Sequence, residues 1–310
     1  MAVTEHRGTV MACRLHIIVN QPEAGVAVDR AIGLLHRLES LWSRFLPDSD
    51  ITRINNDAGT PVAVAPQTIA LVEIMREAWD LTQGRYDPTL LPILVAIGYA
   101  TSKLDPTMST VLPSGPHRIG HVDEIAVDPH RLTVTIPTGV ALDPGGIGKG
   151  LAADMAVALL LECGVDGALV SIGGDLTVAG TAPEPDGWRI NIERADPDPT
   201  PLCRAMIDHG GVATSSTRSR RWESDGRHRH HAIDPATGAQ SDTDLATVTV
   251  FAANGWRAEA FATGALLAGS EAVIAYLDSH RLSGFAITSD GHILRTDDLA
   301  DLELIDAGAR

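Results

Sequence analysis

Leu142-Asp143-Pro144-Gly145-Gly146-Ile147-Gly148-Lys149-Gly150 is the stretch that decides the architecture of this chain. It leads into a helical pattern, Ile147 to Cys163, then an apolar strand, Ala168 to Ile172, and a tight turn at Gly173-Gly174-Asp175. Glycines let a backbone approach a ligand, and a helix start offers free N–H groups to an anion. The segment therefore has the make-up of a phosphate or nucleotide site, with a merely tight strand-to-helix turn as the alternative. It is not a P-loop, which needs glycine where Asp143 stands and Ser or Thr where Gly150 stands. It is not a dinucleotide fingerprint either, because Gly146, Gly148 and Gly150 are evenly spaced and Asp143-Pro144 suits no buried parallel strand. Both routes to a doubly wound sheet close here.

Working outward, Val28, Ala31, Ile32, Leu35 and Leu38 place a helix over Val26 to Leu41, after a strand at Met11 to Val19. A second helix starts at Pro66 and ends near Thr82, before Gly84. Pro47 to Thr60 between them is polar. Ile125 to Val127 and Leu132 to Ile136 form a hairpin around Asp128-Pro129-His130. Trp188 to Ile192 and Thr247 to Ala252 are strands, Arg257 to Leu267 is helical, and Gly284 to Thr288 closes a hairpin with His292 to Arg295. Ala182 to Gly187 and Ala195 to Pro201 are exposed hairpin tips. Strands and helices do not alternate regularly, so the fold class is α+β, a largely antiparallel sheet with packed helices. No domain boundary is evident, and residues 1–310 are expected to form a single domain.

The 310 residues, 44% hydrophobic, suffice for a large core. The net charge of −16 excludes duplex nucleic acid as a partner, because phosphate neutralisation needs a clustered positive surface. No apolar run reaches the roughly 20 residues of a membrane span. Met1 to Val10 has no apolar signal region, so the expectation is a cytoplasmic protein. Cys13, Cys163 and Cys203 have neither disulfide parity nor zinc-ligand spacing.

Three further segments carry chemistry. Glu259 and Thr263, four residues apart, share a helix face and offer the hard oxygens Mg²⁺ prefers, although such a pair is also common on helix surfaces. His228-Arg229-His230-His231 enters the turn Asp234-Pro235-Ala236-Thr237-Gly238. A histidine there suits a general base; alone, the segment equally suits a solvated loop. Tyr86-Asp87-Pro88-Thr89 and Arg44-Phe45-Leu46 set aromatic rings beside rigid polar turns, as a stacked planar ligand requires.

Taken in order along the chain, these segments resemble the ApbE family of FAD:protein FMN transferases. The resemblance rests on Ser49-Asp50-Ile51-Thr52-Arg53-Ile54-Asn55, Tyr86 to Pro92, the glycine-lysine segment, Ser171 to Asp175, Ala213-Thr214-Ser215, His231 to Gly238, and the helix of Glu259 and Thr263. It implies a T-fold-like architecture with FAD held between two intertwined subdomains. It also implies transfer of FMN through a phosphoester bond to a threonine of an acceptor protein, with AMP released. On that resemblance Asp143 and Lys149 contact FAD, the Gly146 carbonyl, Glu259 and Thr263 ligate Mg²⁺, and His231 is the catalytic base. Met11, Phe45, Tyr86, Asp87, Thr89 and Ile233 match positions near the rest of the FAD. The same site would serve an FAD pyrophosphatase giving FMN and AMP, or a non-catalytic flavin binder. The sequence departs from the family pattern at Glu259 (usually Asp), Gly148 (usually Ala), Ser216 (usually Gly) and Met11-Ala12-Cys13 (usually Met-Gly-Thr). A basic run, Arg218, Arg220, Arg221, Arg227 and Arg229, is read either as a solvated hairpin or as a surface for an acidic substrate segment.

Overall fold

The computed structural model describes residues 2–102, 105–194, 200–224, 226–300, 302 and 304–305. Its centre is a sheet of β1 (Thr4–Val10), β2 (Cys13–Val19), β3 (Gly167–Ile172), β4 (Asp175–Gly180), β5 (Gly210–Ser216), β6 (Leu245–Ala252), β7 (Ser283–Thr288) and β8 (Ile293–Arg295). The strands follow one another across the sheet in chain order, and each neighbouring pair is antiparallel. This is the expected α+β class, with the long insertions placed between strands rather than as crossovers.

Strand residues alternate between two cores. Ala168, Val170 and Ile172 pack with α1 (Gly25–Trp42), α2 (Pro66–Leu81) and α3 (Gly148–Glu162) on one face. Leu169 turns to the other face and joins Phe285, Trp188, Ile190 and Ile192, the last three from the hairpin of Trp188–Ile192 with Cys203–Ile207. Toward β8, α4 (Gly255–Leu266) covers Val248 and Val250. Each fully buried aliphatic side chain contributes about 1.5–3 kcal/mol. A one-residue slip would swap the two faces, so this burial fixes the register.

Helix α1 buries Val28, Ala31, Leu35 and Leu38 at the spacing the sequence predicts, and α2 starts on Pro66. The predicted hairpin is present as Ala126–Asp128 with Thr133–Thr135, joined by Val62–Ala63. Three elements differ from expectation. Strand β1 was not foreseen because it is an edge strand exposed on both faces, with only Val10 buried. Met11-Ala12, expected within the first strand, instead form the β1–β2 turn, both at positive φ. Within the polar segment Pro47 to Thr60 lies a helix, Asp50–Asn56, capped by the Ser49 hydroxyl accepting from Thr52 N. Residues 195–199 of the second predicted hairpin tip lie outside the described residues. Among the described residues, no helix is long and apolar enough to cross a membrane.

Candidate functional site

One end of the sheet gathers the β1–β2 turn, the Gly173-Gly174 turn between β3 and β4, and the end of β5. Gly173 N donates to Arg14 O (2.8 Å), and Thr214 N donates to Asp175 Oδ1 (3.1 Å). Gly173 has φ +66°, and a Cβ there would stand 2.9 Å from Cys13 Sγ, so glycine lets the two turns close on each other.

Helices α3 and α4 cross beside this end at almost no separation. A Cβ on Gly150 would lie 2.3 Å from the Gly255 carbonyl oxygen, and one on Gly211 would lie 2.3 Å from Gly255 N. Asp154, from α3, accepts from Gly255 N (2.7 Å), Trp256 N (3.0 Å) and Thr177 Oγ1 (2.6 Å). It thus supplies the first turn of α4 with the cap that Asn254 does not give. Burial raises the Asp154 carboxyl above its usual range, against the pull of these donors.

This crossing sets the two motifs against each other. Lys149 Nζ donates to Asp175 Oδ2 and to Glu259 Oε1, while Glu259 Oε2 accepts from Gly150 N at 2.8 Å. Burial pushes the Lys149 ammonium down, but the charges of Asp175 and Glu259 outweigh it and hold the group above its usual range. One turn on, Thr263 Oγ1 donates to Glu259 O and meets Ser215 Oγ, each at 3.2 Å. Gly146, at φ +84°, closes the cluster: a Cβ there would lie 3.5 Å from Thr263 Oγ1 and 3.3 Å from the Tyr86 ring.

The rest of the loop is held from below. Asn55 makes a paired bond with the Leu142 backbone, accepting at 2.7 Å and donating at 2.9 Å, and Asp143 N donates to Pro88 O at 2.8 Å. Asp143 Oδ1 accepts from Gly145 N (3.0 Å) and lies 3.7 Å from Arg44 Nε. Arg44 in turn covers the rings of Phe45 and Tyr99. Beside Arg44 and Phe45 opens a groove of about 520 Å³ with Leu46, Pro47, Met108 and Leu112 in its wall, within the size range of small-molecule sites.

Tyr86 is 2% exposed, so its ring is packed against the loop and offers no open stacking face. Burial, then the charges of Asp143, Glu259 and Asp87, raise its phenol well above the usual range. It stays a neutral donor, and its Oη has no hydrogen-bond partner among the described residues. Asp87 Oδ1 accepts from Thr89 N (2.7 Å) and Thr89 Oγ1 (2.6 Å), and Thr89 Oγ1 accepts from Gly120 N. Burial raises the Asp87 carboxyl against these bonds. Ile233 is buried with Leu90 and Leu94, which ties the segment after His231 to the helix that follows Thr89. His231 itself is half-buried at a bend after the strand Arg227–His230.

The structure thus brings Tyr86, Asp143, Gly146, Lys149, Glu259 and Thr263 into one cluster. Met11 adjoins it through the Cys13 turn, Phe45 through Arg44, and Asp87, Thr89 and Ile233 through Pro88 and Leu90. The sequence did not mark Asn55, Arg44, Asp154 or Asp175 as site residues. Arg44, Asn55 and Asp175 stood inside quoted motifs, but no spacing links Asn55 to a backbone 87 positions away. Among the described residues, no three His, Cys, Asp or Glu side chains converge on a metal position. Gly146, Glu259 and Thr263 carry a carbonyl, a carboxylate and a hydroxyl, all hard oxygens, the carboxylate being engaged by Lys149 and Gly150 N. That set fits Mg²⁺, which takes one or two carboxylates and fills its shell with water and substrate phosphates.

The sequence model of the ApbE family matches residues 8–286. The chain belongs to the ApbE family. It is 30% identical over 284 residues to an FAD:protein FMN transferase of Treponema pallidum, covering 86% of this chain and 78% of that one. It is 27% identical to the FAD:protein FMN transferase of Vibrio cholerae serotype O1 over 83% of this chain and 78% of the relative. The ApbE crystal structure from Thermotoga maritima has the same fold, with a TM-score of 0.84 at 23% identity over 96% of this chain and 98% of that chain. The apo flavinyl transferase ApbE of Pseudomonas stutzeri gives 0.80 at 24% identity, covering 97% and 96%.

Three of the departures from the ApbE pattern have local explanations. Ser216 replaces a glycine without needing positive φ, and its hydroxyl builds a turn by accepting from Arg218 N (3.0 Å) and Ser219 N (3.3 Å). An alanine at Gly148 would meet only Pro144 Cβ at 3.5 Å, an ordinary contact, so either residue fits. The longer side chain of Glu259 spans both Lys149 and Gly150 N.

Proposed function

We propose that this protein is an FAD:protein FMN transferase that uses Mg²⁺, joins FMN to a threonine of an acceptor protein and releases AMP. The observation that carries this reading is the joining of the Asp143–Lys149 loop to the Glu259–Thr263 helix through Lys149 and Gly150, in a chain whose curated relatives bear that name.

Gly146, Glu259 and Thr263 would hold Mg²⁺, which would neutralise charge on the FAD diphosphate in a site already carrying Asp143, Asp175 and Glu259. The other groups act on the FAD and on the acceptor. Asn55 fixes the Leu142–Asp143 backbone on which the ligand rests. The unpartnered Tyr86 hydroxyl has a hydrogen bond to give. The groove at Phe45 takes a planar ring. His231 accepts the proton of the threonine hydroxyl as its oxygen bonds to the FMN phosphorus. The bond from that phosphorus to the bridging oxygen breaks, and AMP leaves with the oxygen.

The test incubates the protein with FAD, Mg²⁺ and a flavin-acceptor domain, then follows in-gel flavin fluorescence and AMP. Fluorescence on the acceptor, lost when its threonine is replaced and lost with His231→Ala, is the expected result. AMP without a labelled acceptor would replace the transferase with a pyrophosphatase, and the absence of both products would leave a flavin binder.

A further inference from the structure

Two arginines lie within electrostatic reach of the carboxylates of the site, and they differ in what they already hold. Arg44 is 6% exposed and committed: Nη1 donates to Thr110 Oγ1 (2.9 Å), Nη2 donates to Tyr99 O (2.9 Å), and Nε faces Asp143. Lys149 is committed as well, to Asp175 and Glu259. Arg220 is half-buried and makes no hydrogen bond or ion pair among the described residues, yet it lies within electrostatic reach of Asp143, Glu259, Tyr99 and Cys13. It is the one cation of this cluster whose five donors have no assigned acceptor among the described residues.

The backbone holds Arg220 in place. Just before it, Thr217 N donates to Ala246 O (3.0 Å), Thr217 Oγ1 donates to Leu245 O (3.0 Å), and Ser216 Oγ donates to Ala246 O (3.1 Å). Just after it, Arg221 Nε donates back to Thr217 O (2.8 Å). Trp222 then locks the hairpin by stacking on Tyr99 at 5.3 Å and donating to Ile97 O at 2.8 Å. Between these anchors Arg220 adopts φ +55°, a left-handed conformation that a non-glycine residue keeps only when its surroundings enforce it. A half-buried guanidinium pre-positioned without a partner is what recognition of an anion of fixed geometry requires. Tyr86 Oη is likewise buried, unpartnered and subject to the Asp143 and Glu259 charges.

We propose that Arg220 is an anion-binding residue of the site, its guanidinium gripping the diphosphate of the dinucleotide substrate. This deepens the transferase reading and rests on it. It also divides the basic run: Arg220 belongs to the site, whereas Arg218 faces the surface, where its Nη2 donates to Ser289 O at 3.0 Å.

Titration calorimetry of the full chain and of Arg220→Gln with FAD, ADP and riboflavin, all with Mg²⁺ present, tests the proposal. The variant is expected to bind FAD and ADP about 10-fold or more weakly, the scale of one charge-assisted hydrogen-bonded contact, at an unchanged melting temperature. Riboflavin, which has no phosphate, should bind both proteins alike. Arg220→Lys keeps the charge without the planar fork and should recover part of the loss. Equal FAD and ADP affinities for the two proteins would overturn the proposal, and so would an equal loss for all three probes, the mark of a role confined to folding the hairpin. A wild-type chain that binds ADP but neither flavin refutes the flavin reading while Arg220 is still tested on ADP. A wild-type chain that binds none of the three overturns both.

Discussion

Lys149 shows how one residue can be both ligand-facing and structural. Its ammonium is pinned between Asp175 and Glu259, and all three are largely buried. Removing the cation leaves two carboxylates close together with no counter-charge, whereas removing one carboxylate leaves a matched pair. Breaking a buried pair from one side costs about 3–5 kcal/mol. Lys149→Met should therefore lose about 3 kcal/mol of stability in urea denaturation. Glu259→Gln should lose less, because the amide oxygen can still accept from Gly150 N. The double variant should be more stable than the sum of the single losses implies, since it removes one of the two stranded carboxylates and the repulsion between them. Strict additivity would mean that the two residues do not interact, contrary to the contact described.

At the level of elements, the α3–α4 crossing sets the distance between the glycine-lysine loop and the Glu259–Thr263 face. Two glycines two positions apart in the chain make opposite demands there. Gly150→Ala drives a Cβ into the Gly255 backbone at 2.3 Å, which no rotamer can relieve, whereas Gly148→Ala reaches only Pro144 Cβ at 3.5 Å. Gly150→Ala should cost about 1–3 kcal/mol as an overpacked contact and weaken FAD binding, while Gly148→Ala should leave both unchanged. Thermal denaturation of the two variants side by side decides it, and equal melting temperatures would refute the crossing as the constraint. The helices themselves were legible because their apolar faces repeat every three to four residues, as Val28, Ala31, Leu35 and Leu38 do. The crossing was not, since glycine proximity leaves no periodic trace and Asp154 caps a helix a hundred residues away. Strand β1 escaped for the opposite reason: an edge strand wet on both faces shows no alternation. Within the site, residues grouped by motif were visible at once. Asn55 and Arg44 act on backbone and carboxylate distant in sequence, so their roles emerge only once the chain is folded.

Across the whole molecule, the cluster is drawn from both ends of the chain: the β1–β2 turn, the loop at Asp143, the β3–β4 turn, the end of β5 and helix α4. A ligand spanning these parts binds the folded state and has no counterpart in the unfolded one, so its binding energy becomes folding energy. At 100 times its dissociation constant, FAD would add about 2.7 kcal/mol, and for a chain of this size that corresponds to a rise of roughly 5 °C in melting temperature. The metal decides how that rise is obtained. The site holds Asp143, Asp175 and Glu259 against Lys149, Arg44 and Arg220, so its fixed charges nearly cancel and a diphosphate brings excess negative charge. FAD with Mg²⁺ should therefore raise the melting temperature by more than the separate effects of FAD and Mg²⁺ added together, and EDTA should remove that excess. If FAD stabilises the protein equally in EDTA, Gly146, Glu259 and Thr263 do not hold a cation for the dinucleotide. Charge compensation would then come from the cations of the site, and Arg220→Gln, at about 10-fold weaker binding, would cut the remaining shift by about half.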